Sequence, residues 1–237
     1  VKSANMSKTS FKQDKYKNNL KLATWNVQGL LKTGKLENVL NEIKNLKADI
    51  CGISETFWNE SNDFYSVLPS GEKFRIINSN AVKSRKGVAF VLNHKMANSV
   101  SSVHLTSERV MAIKINTNPV NTFIIQVYAP NLDSPEDEKI KFYEEVRETL
   151  KYKTFQEVLV IMGDFNAKVG SSRIDNIVGP HGLGTINDAG RDLVNFCDEY
   201  NLFICNTWFY QKQSARYTWT GPNGVVKNQI DFICVNN

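Results

Sequence analysis

From Leu20 onward the chain alternates short apolar runs with polar breaks. Strand-like runs occupy 22–25, 50–54, 74–78, 88–93, 110–115, 122–127, 158–162, 202–206 and 230–235. Helical periodicity is rarer. After Gly34, the residues Leu36, Val39, Leu40, Ile43 and Leu46 recur at three- and four-residue spacing and predict an amphipathic helix between the first two strands. A second helix is expected behind Ser134 as N-cap, with Pro135 in the first turn and Glu136, Asp137 and Glu138 at its positive end. Its apolar face would carry Ile140, Tyr143, Val146 and Leu150. A third helix is expected from about 189 to 200, carrying Leu193, Val194, Phe196 and Cys197. Mixed strands with interspersed helices and no internal repeat predict an α/β sandwich.

Composition narrows the class. The chain has 237 residues, 41% of them hydrophobic and 11% aromatic, enough for one large domain and too ordinary for a disordered or fibrous protein. Apolar runs such as Val158-Leu159-Val160-Ile161-Met162 fall far short of a bilayer crossing, and no secretory signal is readable near Val1. A soluble, intracellular protein without a membrane partner is therefore expected. Residues 1–20 lack periodicity and carry Lys2, Lys8, Lys12, Lys15 and Lys17 against Asp14, so they read as a flexible basic arm, with the domain at 21–237. The net charge of +5 permits a nucleic-acid partner without demanding one. Cys51, Cys197, Cys205 and Cys234 show no Cys-x-x-Cys spacing and read as buried free thiols. Starting at Val1 and stopping at Asn237 just after a strand-like run, the sequence reads as a piece of a longer polypeptide.

Candidate chemistry gathers where apolar strands end. Asn26 follows the first run, Glu55 the second, Tyr128 the run at 122–127, and Asp164 and Asn166 the run at 158–162. Such an arrangement places polar groups at one edge of the sheets, on loops held by a rigid scaffold. Each residue alone has a plainer reading: a solvated carboxylate for Glu55, a half-buried aromatic for Tyr128, a turn for Asn26 to Gly29. The segment Gly163-Asp164-Phe165-Asn166-Ala167-Lys168-Val169-Gly170 is more specific. It runs a buried strand into two oxygen-bearing side chains two residues apart.

Taken in order, Thr24-Trp25-Asn26-Val27-Gln28-Gly29-Leu30, the strand ending in Glu55, Gln126-Val127-Tyr128-Ala129-Pro130, Gly163-Asp164-Phe165-Asn166 and Gln229-Ile230-Asp231-Phe232-Ile233 resemble the successive motifs of the endonuclease/exonuclease/phosphatase superfamily. Longer stretches, including Phe203-Ile204-Cys205-Asn206-Thr207 and Tyr217-Thr218-Trp219, are similar to the apurinic-type endonuclease domains of RTE-like non-LTR retrotransposons. The resemblance implies a DNase I-like fold, a two-sheet mixed β-sandwich flanked by helices, with its last strand missing from this sequence. It implies a Mg²⁺-dependent endonuclease, with Mn²⁺ as a substitute, that nicks DNA to leave a 3′-hydroxyl priming reverse transcription. Glu55, Asn26 and Asp164 would hold the metal. Asp164 would activate or position water, Asn26 and Asn166 would orient it and the phosphate, and Tyr128 would stabilise the charged transition state. Thr218 would lie near the scissile strand, and Asp231 would orient a histidine in a Ser-Asp-His segment beyond Asn237. DNA and a reverse-transcriptase domain in the same polypeptide are the implied partners, and the nucleus the implied site of action. The alternatives are a phosphatase of the same superfamily, or a domesticated or truncated module that binds without catalysis.

The histidines present, His94, His104 and His181, all precede Asp231 and read as surface or turn residues. Gly179-Pro180-His181-Gly182-Leu183-Gly184 lacks the Lys-Ser/Thr ending of a phosphate-binding loop and reads as a surface loop. Arg173, Arg191 and Arg216 are candidates for phosphate contacts or plain solvated arginines.

Overall fold

A computed structural model describes residues 19–82 and 84–236. The basic arm expected at 1–20 lies outside the described residues except for its last two positions. In chain order the elements are β1 (Leu22–Asn26), α1 (Lys35–Leu46), β2 (Ile50–Ser54), β3 (Asn62–Val67), β4 (Lys73–Asn78), β5 (Val88–Asn93), α2 (His94–Ala97), β6 (Val100–Leu105), β7 (Val110–Ile115), β8 (Thr122–Tyr128), α3 (Glu136–Leu150), β9 (Val158–Asp164), α4 (Asp188–Glu199), β10 (Leu202–Ile204), β11 (Trp219–Thr220), β12 (Lys227–Asn228) and β13 (Asp231–Asn236). The strands form a five-stranded sheet ordered β1-β2-β5-β4-β3, a six-stranded sheet ordered β10-β13-β9-β8-β7-β6, and the β11-β12 hairpin. In each large sheet one pair is parallel, β1 with β2 and β8 with β9, and the others are antiparallel.

Strand alternation builds four layers. On β8, Phe123, Ile125 and Val127 pack with Phe142 and Val146 of α3 and Leu193 and Phe196 of α4. The intervening Ile124 and Tyr128 face the other sheet, joining Ile50, Phe90, Leu92, Met111 and Met162 in a core between the sheets. Cys51, Ile53, Ala89 and Val91 turn outward to meet Val39, Leu40 and Ile43 of α1. The expected two-sheet sandwich flanked by helices is the fold observed. β2, β8 and β9 are buried on both faces, which is why their sequences are mainly apolar.

Several local expectations shift. The run at 202–206 is a strand only to Ile204, because Cys205–Thr207 tightens into a 3-10 turn. Pro135 is the residue before α3, not inside its first turn, and no side chain caps that helix. The buried face of α3 is Phe142, Val146 and Thr149, leaving Ile140 53% exposed, whereas Leu46 at the end of α1 is 63% exposed. On α4, Leu193, Val194, Phe196 and Cys197 are all buried as expected, and Asn187 caps the helix by accepting the Gly190 amide. Cys205 is only half-buried, unlike the other three thiols. Among the described residues no helix is long and apolar enough to cross a membrane.

The topology places chemistry at one edge. β1, β2, β8 and β9 all end at the same edge of the sandwich, where parallel strands leave their C-terminal ends open for loops. β13 runs antiparallel to β9 and pairs Asp231 with Asp164, so its first residue returns to that edge.

Candidate active site

Asn26 is the hub. Its Nδ2 donates to Glu55 Oε1 and to Asp164 Oδ2, both at 2.8 Å, and its Oδ1 accepts from the Gln28 amide at 3.1 Å. One amide thus draws a carboxylate from each sheet to within twice a hydrogen-bond length of the other. Glu55 is held by the backbone in the left-handed region, φ 60°, with its carbonyl accepting from the Gly29 amide at 2.7 Å. A non-glycine residue held there is strained, and such strain clusters at sites where a side chain must be aimed.

Asp164 is buried. Its Oδ1 accepts from the Asn166 amide at 2.9 Å, and Asn166, itself at φ 48°, donates its Nδ2 to the Ala129 carbonyl at 2.9 Å. Burial pushes the Asp164 carboxyl up from the usual carboxylate range to about 6; the Asn26 and Asn166 hydrogen bonds pull it down, and the charge of Glu55 adds to the rise. Asp231 is raised further, to about 7, by burial and then by Asp164, with Thr218 opposing and Glu55 adding. Asp231 Oδ1 has no hydrogen-bond partner among the described residues. Burial and the mutual repulsion of these carboxylates favour keeping a proton on the cluster.

Tyr128 closes the group. Burial, the Glu55 charge, a hydrogen bond with Glu55 and the Asp164 charge keep its phenol protonated, so it can act as a donor; the Arg109 charge opposes them. Arg109 lies over the Tyr128 ring, 5.3 Å from the centroid, and donates to the Tyr128 carbonyl and to Glu138, each at 3.1 Å. Sequence reading missed Arg109, whose partners lie 19 and 29 residues away.

The structure therefore brings Asn26, Glu55, Tyr128, Asp164, Asn166 and Asp231 together. Thr218, expected near substrate, spends its hydroxyl on its own chain: Oγ1 accepts from the Ile230 and Asp231 amides at 3.1 and 3.2 Å, holding the entry of β13. Thr218→Val should accordingly lower stability by about 1 kcal/mol, visible as a fall in Tm of about 2–4 °C, while Thr218→Ser should not. Equal Tm values for both variants would show that the hydroxyl is idle.

Histidine is absent from the cluster. His94 opens α2, His104 stacks on Tyr152 at 4.2 Å, and His181 meets the edge of Tyr210. The glycine loop is not a simple surface loop. Gly179 donates its amide to Thr207 Oγ1 at 2.7 Å, Gly179 and Gly182 are buried, and Arg216 donates to the His181 and Gly182 carbonyls. Arg173 lies over the Trp208 ring and Arg191 pairs with Asp188, so the three arginines are engaged within the chain.

Hard oxygen donors of this kind suit Mg²⁺, which takes one or two carboxylates and completes its shell with water and substrate phosphate. Among the described residues no group of three or more His, Cys, Asp or Glu is arranged to enclose a metal. A half-open site with Glu55 and Asp164 as its carboxylates is what remains, and its hard oxygen donors are of the kind a divalent cation takes. Beside it a groove of about 650 Å³ is lined by Trp25, Asn26, Gln28, Lys32 and Lys35.

Residues 23–237 match the sequence pattern of the Endonuclease/Exonuclease/phosphatase family. Craniofacial development protein 2 of Bos taurus is 38% identical over 217 residues, which cover 90% of this chain and 35% of the relative. The chain thus spans about a third of the length of that curated relative. Among solved structures, the endonuclease domain of TRAS1, a telomere-specific non-LTR retrotransposon, superposes with a TM-score of 0.58 at 16% identity, covering 92% of this chain and 86% of the other. TDP2 of D. rerio, complexed with a single-strand DNA product, gives 0.58 at 12% identity, with 92% and 84% covered. These structural likenesses carry the fold.

Proposed function

Because the chain belongs to the endonuclease/exonuclease/phosphatase family, we propose that it hydrolyses phosphodiester bonds of DNA with a bound Mg²⁺, nicking one strand and leaving a 3′-hydroxyl. The observation that carries this reading is the Asn26 amide holding Glu55 and Asp164 together at the open edge of both sheets. Lys32 and Lys35 in the adjoining groove support a polyanionic substrate, as do the likenesses to a retrotransposon endonuclease and to a protein complexed with a DNA product.

Glu55 and Asp164 are the groups that would hold the ion; Asn26, expected as a third ligand, turns its Nδ2 to both carboxylates and its oxygen to the Gln28 amide, and would position them instead. When bound, Mg²⁺ supplies charge neutralisation at the phosphoryl oxygens. Asp164, fixed by Asn26 and by the Asn166 amide, would take a proton from the attacking water. Asn166, pinned to the Ala129 carbonyl, limits where that water can sit. The water oxygen bonds to phosphorus as the P–O3′ bond breaks in line, and the departing oxygen becomes the 3′-hydroxyl on gaining a proton. Tyr128 donates to the phosphorane oxygens as negative charge grows on them. Asp231, with Oδ1 unpartnered among the described residues, would orient the histidine of the Ser-Asp-His segment that the family resemblance supplies, toward the scissile phosphate. Mn²⁺ should substitute for Mg²⁺. In a longer polypeptide carrying a reverse transcriptase, the 3′-hydroxyl would serve as primer in the nucleus.

The test is conversion of supercoiled plasmid to the nicked form with Mg²⁺, with a DNA polymerase extending the nick to reveal its 3′-hydroxyl. A phosphoinositide phosphatase assay runs beside it. The nick is expected, and is expected to vanish with chelator. Activity on the lipid headgroup alone would make the protein a phosphatase, and DNA binding without cleavage would make it a binding module.

A further inference from the structure

Between the two sheets the mainly apolar core is interrupted beneath the site by a buried amide. Gln126, in the middle of β8, is fully buried. Its Nε2 donates to Ser54 Oγ of β2 at 3.0 Å and to Thr24 Oγ1 of β1 at 3.3 Å. Ser54, also fully buried, donates in turn to the Val127 carbonyl at 3.2 Å. The space is made for this contact: a Cβ on Gly52 would sit 1.7 Å from Gln126 Oε1, so only glycine at that position of β2 lets the glutamine cross.

Each member of the cluster precedes a site residue on its own strand, Thr24 two before Asn26, Ser54 one before Glu55 and Gln126 two before Tyr128. Ser54 is also the register partner of Asn26. Apart from this cluster, the Asn26–Asp164 and Tyr128–Glu55 contacts and the loop ties at Glu108, the sheets meet through apolar side chains, whose dispersion and hydrophobic contacts carry no direction. A buried polar group with one set of partners fixes register and spacing, because any displacement leaves it unpaired and desolvated.

We infer that Thr24, Ser54 and Gln126, seated over Gly52, form a positioning bolt that sets the separation of the two sheets beneath the site, and with it the approach of Glu55 to Asp164. The inference deepens the proposed metal-dependent reading and rests on it for its consequence, although the spacing itself can be read without metal. Glu55 rides on the five-stranded sheet and Asp164 on the six-stranded one, so their separation is an inter-sheet distance. Supporting groups behind a metal site are commonly worth 10- to 100-fold in affinity.

The experiment compares wild type with Gln126→Met, which keeps the volume and removes the polar atoms, and with Ser54→Ala. Thr122→Val serves as control, a buried polar change at the far end of the same strand. Mn²⁺ affinity is measured calorimetrically on the metal-free proteins, Tm is recorded for each, and the metal-free Gln126→Met protein is crystallised. Gln126→Met and Ser54→Ala are expected to bind Mn²⁺ about tenfold more weakly, Thr122→Val to bind as wild type, and Asn26 to lose one of its two carboxylate contacts in the Gln126→Met crystal. Unchanged Mn²⁺ affinity with both Asn26 contacts intact overturns the inference. Wild type that binds no Mn²⁺ defeats the proposed function instead, and in that event the crystal alone decides the bolt: both contacts kept overturns it, one lost upholds it.

Discussion

Asp164→Asn is expected to lower kcat for Mg²⁺-dependent nicking by on the order of a thousandfold, and at the same time to flatten the pH dependence of stability of the metal-free protein. The rate effect follows from removing the one carboxylate that touches both Asn26 and Asn166, leaving an amide that cannot accept a proton from water. The stability effect follows from the direction of the pKa shifts. Asp164 and Asp231 both hold their protons more tightly in the fold than in an unfolded chain, chiefly because they are buried. Their contribution to stability is thus fully present below about pH 4 and is lost as the pH rises through about 6 for Asp164 and about 7 for Asp231. Without Asp164 its own share of that loss disappears, and so does its push on Asp231. Asparagine brings a defect of its own, since its NH₂ must face either the Asn26 Nδ2 or the Asn166 amide, both donors. Absolute stability is therefore a poor readout and the pH difference a good one. Urea midpoints in chelator at pH 4.5 and pH 8 should show the variant gaining ~2 kcal/mol on wild type between the two, following about 1.4 kcal/mol per unit of pKa displacement. An equal gap at both pH values would mean that the Asp164 carboxyl is not displaced.

The same pair explains why ancestry was readable and its supporting residues were not. Asn26, Glu55, Tyr128, Asp164 and Asn166 each stand where an apolar run stops, so a one-dimensional pattern points to them. Gln126 breaks an apolar run instead of ending one, and its partners are 72 and 102 residues away, a relation that only the crossing of two sheets creates. Arg109 is silent for a similar reason, because its role depends on the β7-β8 pairing that sets it against Tyr128. The face of α3 was misread at Ile140 because Ile140, Phe142 and Tyr143 spread over different sides of its second turn, and only packing against the six-stranded sheet selects Phe142 and Val146. Strands β3 and β6 escaped notice because they are sheet edges, polar or exposed at most positions, with no continuous apolar run to mark them. The α/β sandwich, by contrast, was legible from mainly apolar central strands and amphipathic α1 and α4, and its two-sheet form from the family resemblance. Those patterns have few alternative burials.

Gly163→Ala is expected to be the most damaging single-methyl change for stability, costing more than about 3 kcal/mol, because it offends against backbone conformation and backbone packing together. Gly163 has φ 151°, a value L side chains rarely adopt, and an added Cβ would lie 2.0 Å from the Val127 carbonyl oxygen and 2.8 Å from its carbon. Neither atom can swing aside as a side chain would. Val127 is the register partner of Gly163 across the parallel β8-β9 pair, and Phe232 is its partner on the other side, so the methyl must push β8 away from β9 in the middle of the sheet. Those strands end one residue later in Tyr128 and Asp164, so whatever folds would also carry a widened site. Gly34→Ala is the matched comparison. It too has positive φ, 78°, but nothing lies within 4 Å of its added Cβ, and it should cost only about 1 kcal/mol. Against a typical total stability of about 5–15 kcal/mol, the Gly163 variant should show a sharply lower urea midpoint and the Gly34 variant a modest one. If the two midpoints coincide, the close approach of β8 to β9 at Gly163 is not what forbids a side chain there, and the tight seam beneath Asp164 is no constraint on the site.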